Sequence, residues 1–127
     1  MNTGAHSIGN WIRLGLFAAA FVATVYFAVI SDAPLPDHRW IVGYNDLILH
    51  AGAFGALSFL ILLKNRFQWI SVGLLCGMAV AIEVAQIWEP NRNASLGDFA
   101  SSFAGILIGW LLAKLLNSLL SHVMHKA

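Results

Sequence analysis

Four stretches of the chain run almost without polar side chains: Leu14 to Ile30, Leu47 to Leu63, Phe67 to Trp88 and Phe99 to Ala113. The last reaches Leu120 if Lys114 extends its amine toward the membrane surface. Glu83 is the only formal charge inside them. Each approaches the roughly 20 residues that an α-helix needs to cross a bilayer. The period-two alternation of membrane β-strands is missing, and a lipid-embedded backbone without strand partners must be helical. The pattern therefore predicts an all-α membrane protein. It reads as a single domain over residues 1–127, a four-transmembrane-helix bundle with helices near 12–30, 46–63, 67–88 and 98–120. The competing reading of the first stretch is a cleaved signal peptide. Its core is too long for that, and Ala33, the best small residue for cleavage, is followed by Pro34. Internal repeats and low-complexity segments are absent.

Composition agrees with the pattern. Of 127 residues, 59% are apolar and 10% charged, against about half and a quarter in soluble domains. This excludes an ordinary soluble domain and a disordered chain alike. The length leaves no room for a sizeable soluble domain, so function must reside in the helices and their loops. A net charge of +1 creates no field that would draw nucleic acid. The lone cysteine, Cys76, permits no internal disulfide.

The placement of the charges says more than their sum. Arg13, Lys64, Arg66, Lys114 and Lys126 flank one side of the membrane, and only Arg39 and Arg92 the other. The positive-inside rule then puts both termini and the middle loop in the cytoplasm. All six acids, Asp32, Asp37, Asp46, Glu83, Glu89 and Asp98, fall in or near the outer half. Trp11 and Trp69 mark the inner interface, and Trp40, Tyr44 and Trp88 the outer one.

The chemistry-bearing residues gather on that outer side. Asp46 opens the second helix and His50 follows four positions later, on one face and about 6 Å further along the axis. Glu83 and Gln86 share a face of the third helix, with Glu83 roughly 7 Å below the outer boundary. Pro90 ends that helix. The loop then carries Arg92, the one strong local cation, and a Ser95-to-Asp98 spacing typical of a helix-capping box. Carboxylates and imidazoles inside hydrocarbon cost several kcal/mol unless paired or wetted, which makes Glu83 and His50 functional candidates. The structural alternative is that these side chains bind helices together and that Ser95 and Asp98 only cap the fourth helix.

At these residues the chain resembles the VanZ-like family of small bacterial membrane proteins. The resemblance rests on Asp46-x-x-x-His50, Glu83-x-x-Gln86 and Pro90-x-Arg92-x-x-Ser95-x-x-Asp98, leading into a helix with Gly105 and Gly109. It covers residues from about 46 to 110. It implies a multi-pass helical domain of the bacterial cytoplasmic membrane, working on the cell envelope in a role linked to glycopeptide antibiotic resistance. No settled activity comes with it. Two positions depart from the family pattern: Leu47, where a Lys is frequent, and Ser102, where an Asn is frequent.

Small residues predict the packing. Ser101, Gly105, Gly109 and Ala113 form a stripe on the fourth helix, with Asp98 and Ser102 on the same broad face. Gly73, Gly77 and Ala81 form a second stripe, opposite Glu83 and Gln86, so the third helix is expected to be central or to dimerise. Gly15, Ala19 and Ala23 give the first helix a third, and that helix reads as a cover.

Three functions fit. The favoured one is a polar outer-leaflet pocket that binds an envelope lipid, a lipid-linked precursor or a glycopeptide-type ligand, through Gln86, Arg92, Ser95, Asp98 and Ser102. The second is a membrane enzyme acting on a lipid-linked envelope substrate, with His50 or Glu83 transferring protons and Asp46 orienting His50. The third is a proton- or ion-coupled carrier. Whether the chain is an enzyme is left open. Partners are membrane lipids and, through the small-residue faces, a second copy; no cofactor and no metal are expected, although His50 with Glu83 and Asp46 offers suitable ligand types. His122 and His125 lack a zinc-protease pattern and read as an interfacial tail. No nucleophile elbow, phosphate loop or paired-cysteine motif is present. The orientation is testable: cysteines at Pro36 and Asn93 should react with an impermeant thiol reagent outside the cell, and one at Asn65 should not. Labelling of Asn65→Cys alone would reverse the topology.

Overall fold

Lipid tails are as apolar as leucine, so membrane helices must be held together by close packing and hydrogen bonds rather than by escape from water. The computed structural model describes residues 3–30, 45–63, 66–88 and 95–126, the side chains of 3–7, 30, 45–46 and 125–126 excepted. α1 spans Thr3–Val25 and continues into a π-helical turn, Tyr26–Ile30. α2 covers Asn45–Leu62, α3 Gln68–Gln86 and α4 Leu96–Lys126. Strands are absent among the described residues, as expected for an all-α chain.

Three segments are long and apolar enough to cross a membrane: Ile8–Val29, Gln68–Gln86 and Leu96–Met124. The fourth expected span falls on α2. Its apolar part, Leu47–Leu62, is shorter. It rises about 24 Å, less than the roughly 30 Å of a hydrocarbon core. The ends of α1 and α4 differ from the predicted ones in the other direction. α1 starts at Thr3 rather than near residue 12, and α4 runs to Lys126 because nothing after Lys114 breaks a helix.

The most intimate contact joins α2 to α4. A methyl group built on Gly105 would overlap the carbonyl of Ala51, and one on Gly109 would overlap the carbonyl of Gly55 and approach Ser58 Cβ to 2.8 Å. The two backbones touch because these positions have no side chain. Ser58, fully buried, reinforces the contact by donating its hydroxyl to the Ile106 carbonyl at 2.7 Å. Gly105, Gly109 and Ala113 are buried and Ser101 half-buried, which places the α4 stripe where the sequence put it. Phe54 and Leu57 of α2, Leu75, Ala79 and Ile82 of α3 and Ile106 of α4 form the apolar core.

α2 is therefore the enclosed helix, touching α1, α3 and α4. α3 touches α2, α4 and the π-helical turn of the first helix. Its Gly73, Gly77 and Ala81 stripe is exposed, and among the described residues nothing lies within 4 Å of a Cβ placed on either glycine. The α1 stripe is open in the same way. Gly15, Ala19 and Ala23 face outward, whereas Arg13, Phe17, Ala20 and Thr24 are half-buried and form the inner face. The close approach that those stripes would permit is already used by α2 and α4. Exposed Leu, Ile, Val and Phe on all four helices make the outside apolar, as a lipid-facing surface requires.

Midway along α4, Trp110 donates its indole N–H to Gln68 at 3.1 Å, packs on Trp69 with ring centroids 5.4 Å apart and carries Lys114 Nζ 5.6 Å from its centre. This joins the start of α3 to α4.

One added methyl group tests the helix contact. Gly105→Ala and Gly109→Ala should each destabilise the protein by about 1–3 kcal/mol, because overpacking must push two backbones apart. Gly73→Ala and Gly77→Ala should leave thermal unfolding in detergent unchanged or raise its midpoint. Equal effects at all four positions would refute this packing.

Candidate functional site

Along α4, Asp98 and Ser102 precede Gly105 by seven and three residues, so the glycine contact turns the same face of the first two turns toward α2. His50 sits next to Ala51, the residue whose carbonyl Gly105 meets. The consequence is direct: His50 Nδ1 and Ser102 Oγ are 3.1 Å apart, with both side chains buried. Asp98 is buried beside them at 6% exposure.

α3 supplies the third wall. Glu83 Oε2 accepts the backbone N–H of Ser95 at 3.0 Å. Ser95 in turn caps α4, its hydroxyl accepting the amides of Gly97 at 3.1 Å and Asp98 at 3.3 Å. In a capping box the acid at the fourth position reaches back to the amide of the cap residue. Here Glu83, from a different helix, accepts that amide, so the cap also fastens α3 to α4.

One ligand-type atom each from His50, Glu83 and Asp98 lies within 4.8 Å of the other two. Glu83 Oε1 is shielded from solvent and has no hydrogen-bond partner. Two carboxylates and an imidazole thus converge at the junction of three helices. The positive end of the α4 dipole, with its unsatisfied amides, favours negative charge there. Side chains of three cations are described: Arg13, Arg66 and Lys114. By helix rise, Arg13 is about 22 Å along the axis from Ala28 and Lys114 about 24 Å from Asp98, and Arg66 precedes the far end of α3. None belongs to this end of the bundle.

Gln86, one turn beyond Glu83 and 2% exposed, donates its amide to the Ala28 carbonyl at 2.9 Å. Ala28 lies in the π-helical turn that ends the first helix, where carbonyls lack intrahelical partners. The first helix is thus more than a cover, since it supplies a polar partner to α3.

The structure brings together four of the residues proposed from sequence, His50, Glu83, Asp98 and Ser102, with Ser95 joined through its backbone. Arg92 lies outside the described residues, as does the side chain of Asp46. Asp98, read from the sequence as a ligand-binding or capping residue, lies beside His50 and Glu83. Two polar contacts carried no signal in the sequence: the Ala28 carbonyl, because any residue has one, and the Gln68–Trp110 pair, because neither is rare near a helix end.

The family model described as VanZ/LLP1 matches residues 5–117. A protein named "Lipoprotein signal peptidase" from Ralstonia nicotianae is 28% identical over 108 residues, which cover 85% of this chain and 60% of that protein. The chain therefore spans about 60% of the length of this relative. No solved structure matches the chain.

Gln86→Leu tests the link to the first helix. The change keeps the volume and removes the donor, which should cost about 1–3 kcal/mol by orphaning the Ala28 carbonyl. Amide hydrogen exchange should quicken around Tyr26–Ile30 while α2 and α4 keep their protection. Uniform loss of protection would mean that Gln86 supports the whole bundle instead.

Proposed function

The chain belongs to the VanZ/LLP1 family, and from that premise we propose that it is a multi-pass accessory protein of the bacterial cytoplasmic membrane, binding the head group of an envelope lipid or a glycopeptide-type ligand. All four helices cross the bilayer in this reading, α2 at a local thinning. Both termini are cytoplasmic and the His50–Glu83–Asp98 cluster lies in the outer half. The observation that carries the proposal is the convergence of these three side chains within 4.8 Å, with one oxygen of Glu83 shielded and lacking a hydrogen-bond partner. Such a cluster is rich in acceptors. It suits a group that brings donors, such as the hydroxyls and amides of a lipid-linked sugar or glycopeptide, or an ammonium head group. A phosphate alone would need Arg92 as its counter-charge. Glu83 is the half-exposed member of the three, so a ligand would enter on its side. The open Gly73, Gly77 and Ala81 face would serve pairing with a second copy.

One observation favours an enzyme as the second reading. Two carboxylates and an imidazole this close can hold and relay a proton, and the relative named lipoprotein signal peptidase extends this reading to lipid-modified substrates. Acid–base work at His50 and Glu83 on a lipid-linked substrate would then follow binding.

Glu83→Gln separates function from packing. The amide oxygen can still accept the Ser95 N–H, so abundance and thermal stability should stay within about 0.5 kcal/mol of wild type. Envelope amphiphiles that co-purify with the wild type, read by native mass spectrometry, should be lost, together with any glycopeptide tolerance that the gene confers on a deletion strain. An unchanged lipid profile and phenotype in Glu83→Gln would refute the site. Turnover of the bound molecule to a new species by wild type, but not by Glu83→Gln, would replace binding with catalysis.

A further inference from the structure

We propose that His50, Glu83 and Asp98 form a binding site for a divalent transition-metal ion, of which zinc is the best representative. The inference concerns the same side chains as the proposed head-group site but does not depend on which ligand that site takes. The donor set is one imidazole nitrogen and two carboxylates, each from a different helix. Nitrogen with oxygen ligands suits zinc or manganese, whereas magnesium and calcium prefer oxygen alone.

The geometry is close to what coordination needs. Three atoms within 4.8 Å of one another have a common centre no farther than about 2.8 Å from any of them. Metal–ligand distances are about 2.0–2.2 Å, so each side chain would move inward by roughly 0.6–0.8 Å. Small torsional adjustments of two carboxylates and an imidazole supply that. Ser102 on Nδ1 orients the ring and directs coordination to Nε2, in the way that outer partners orient metal-bound histidines. The Ser95 amide on Oε2 does the same for Glu83 and leaves Oε1, the shielded oxygen without a hydrogen-bond partner, to face the ion.

Charge points the same way. The buried Asp98 and the half-buried Glu83 bring two carboxylates to one point beside an imidazole, and a divalent ion would balance their charge there. Three protein ligands leave a coordination position open, as in catalytic rather than structural zinc sites. Glu83, the half-exposed ligand, puts that position on the accessible side.

The test uses the full chain in detergent or nanodiscs, purified through a tag without histidines. After chelation and re-addition of zinc, elemental analysis should find about one ion per chain. Thermal unfolding should move upward with zinc and not with magnesium. His50→Ala, Glu83→Gln and Asp98→Asn should each abolish stoichiometric binding, with gel filtration confirming a folded protein. Ser102→Ala, which keeps all three ligands, should weaken binding about 10–100-fold. His122→Ala/His125→Ala should bind as wild type does. Absence of zinc at micromolar free concentration would overturn the inference, as would binding that survives Glu83→Gln and Asp98→Asn or is lost with the C-terminal histidines. Because binding is measured without any lipid ligand, a negative result here leaves the head-group reading standing, and loss of co-purified lipid alone leaves the metal site standing.

Discussion

The structure depends on the contact of two backbones. Gly105 and Gly109 let α4 lie directly against the carbonyls of Ala51 and Gly55 on α2, and two hydrogen bonds bracket the touching point. On one side Ser58 reaches the Ile106 carbonyl, and on the other His50 meets Ser102. Packing this close provides dispersion contacts that compensate for the missing hydrophobic force in lipid. It also fixes the axial register of the two helices. A slip of one residue along α4 would rotate Ser102 and Asp98 by about 100° away from His50. The polar site is thus a consequence of where the glycines lie.

The second dependency is the cap at Ser95. The first amides of a helix have no partners within it and must be satisfied from outside. Ser95 accepts two of them, and its own amide goes to Glu83. Glu83 gains a donor and a favourable dipole end, which offsets part of the cost of placing a carboxylate among apolar neighbours. Glu83 therefore caps α4 and, in the proposed site, is also the half-exposed member. Capping uses one of its oxygens, and the other is shielded and lacks a hydrogen-bond partner.

Much of this was legible in the sequence, for reasons that differ by residue. Helicity followed from unbroken apolar runs, and the α4 face followed from small residues recurring every four positions through Gly105 and Gly109. His50, Glu83, Asp98 and Ser102 were recognisable because ionisable and polar groups are rare in hydrocarbon and were spaced on single helix faces. Partnership was not legible. Gly73, Gly77 and Gly15 carry the same spacing as the α4 stripe, yet among the described residues nothing packs within 4 Å of a Cβ placed on them, because a small-residue stripe states that a close contact is allowed and not that it is made. The same limit holds at His50: local spacing pointed to Asp46, and only the helix contact shows that Asp98, 48 residues further along the chain, lies within reach of it.

The first helix shows how a weak link can still be specific. It touches the bundle through an apolar face that includes Phe17, Ala20 and Val29, and Gln86 donates a side-chain hydrogen bond to its Ala28 carbonyl. Gln86 follows Glu83 by three positions, so the two side chains project from neighbouring parts of one α3 face. A hydrogen bond at Gln86 thereby constrains the rotation of α3 about its own axis, and with it the direction of Glu83. The π-helical turn at Tyr26–Ile30 is where that carbonyl is presented, and wide turns of this kind recur near functional sites. α2 and α4 fix the position of the imidazole and one carboxylate through backbone contact. The other carboxylate is aimed by hydrogen bonds at both ends of one helical turn, the Ser95 amide on Glu83 itself and the Gln86 bond to Ala28, so its direction follows the rotation of α3 rather than a backbone contact.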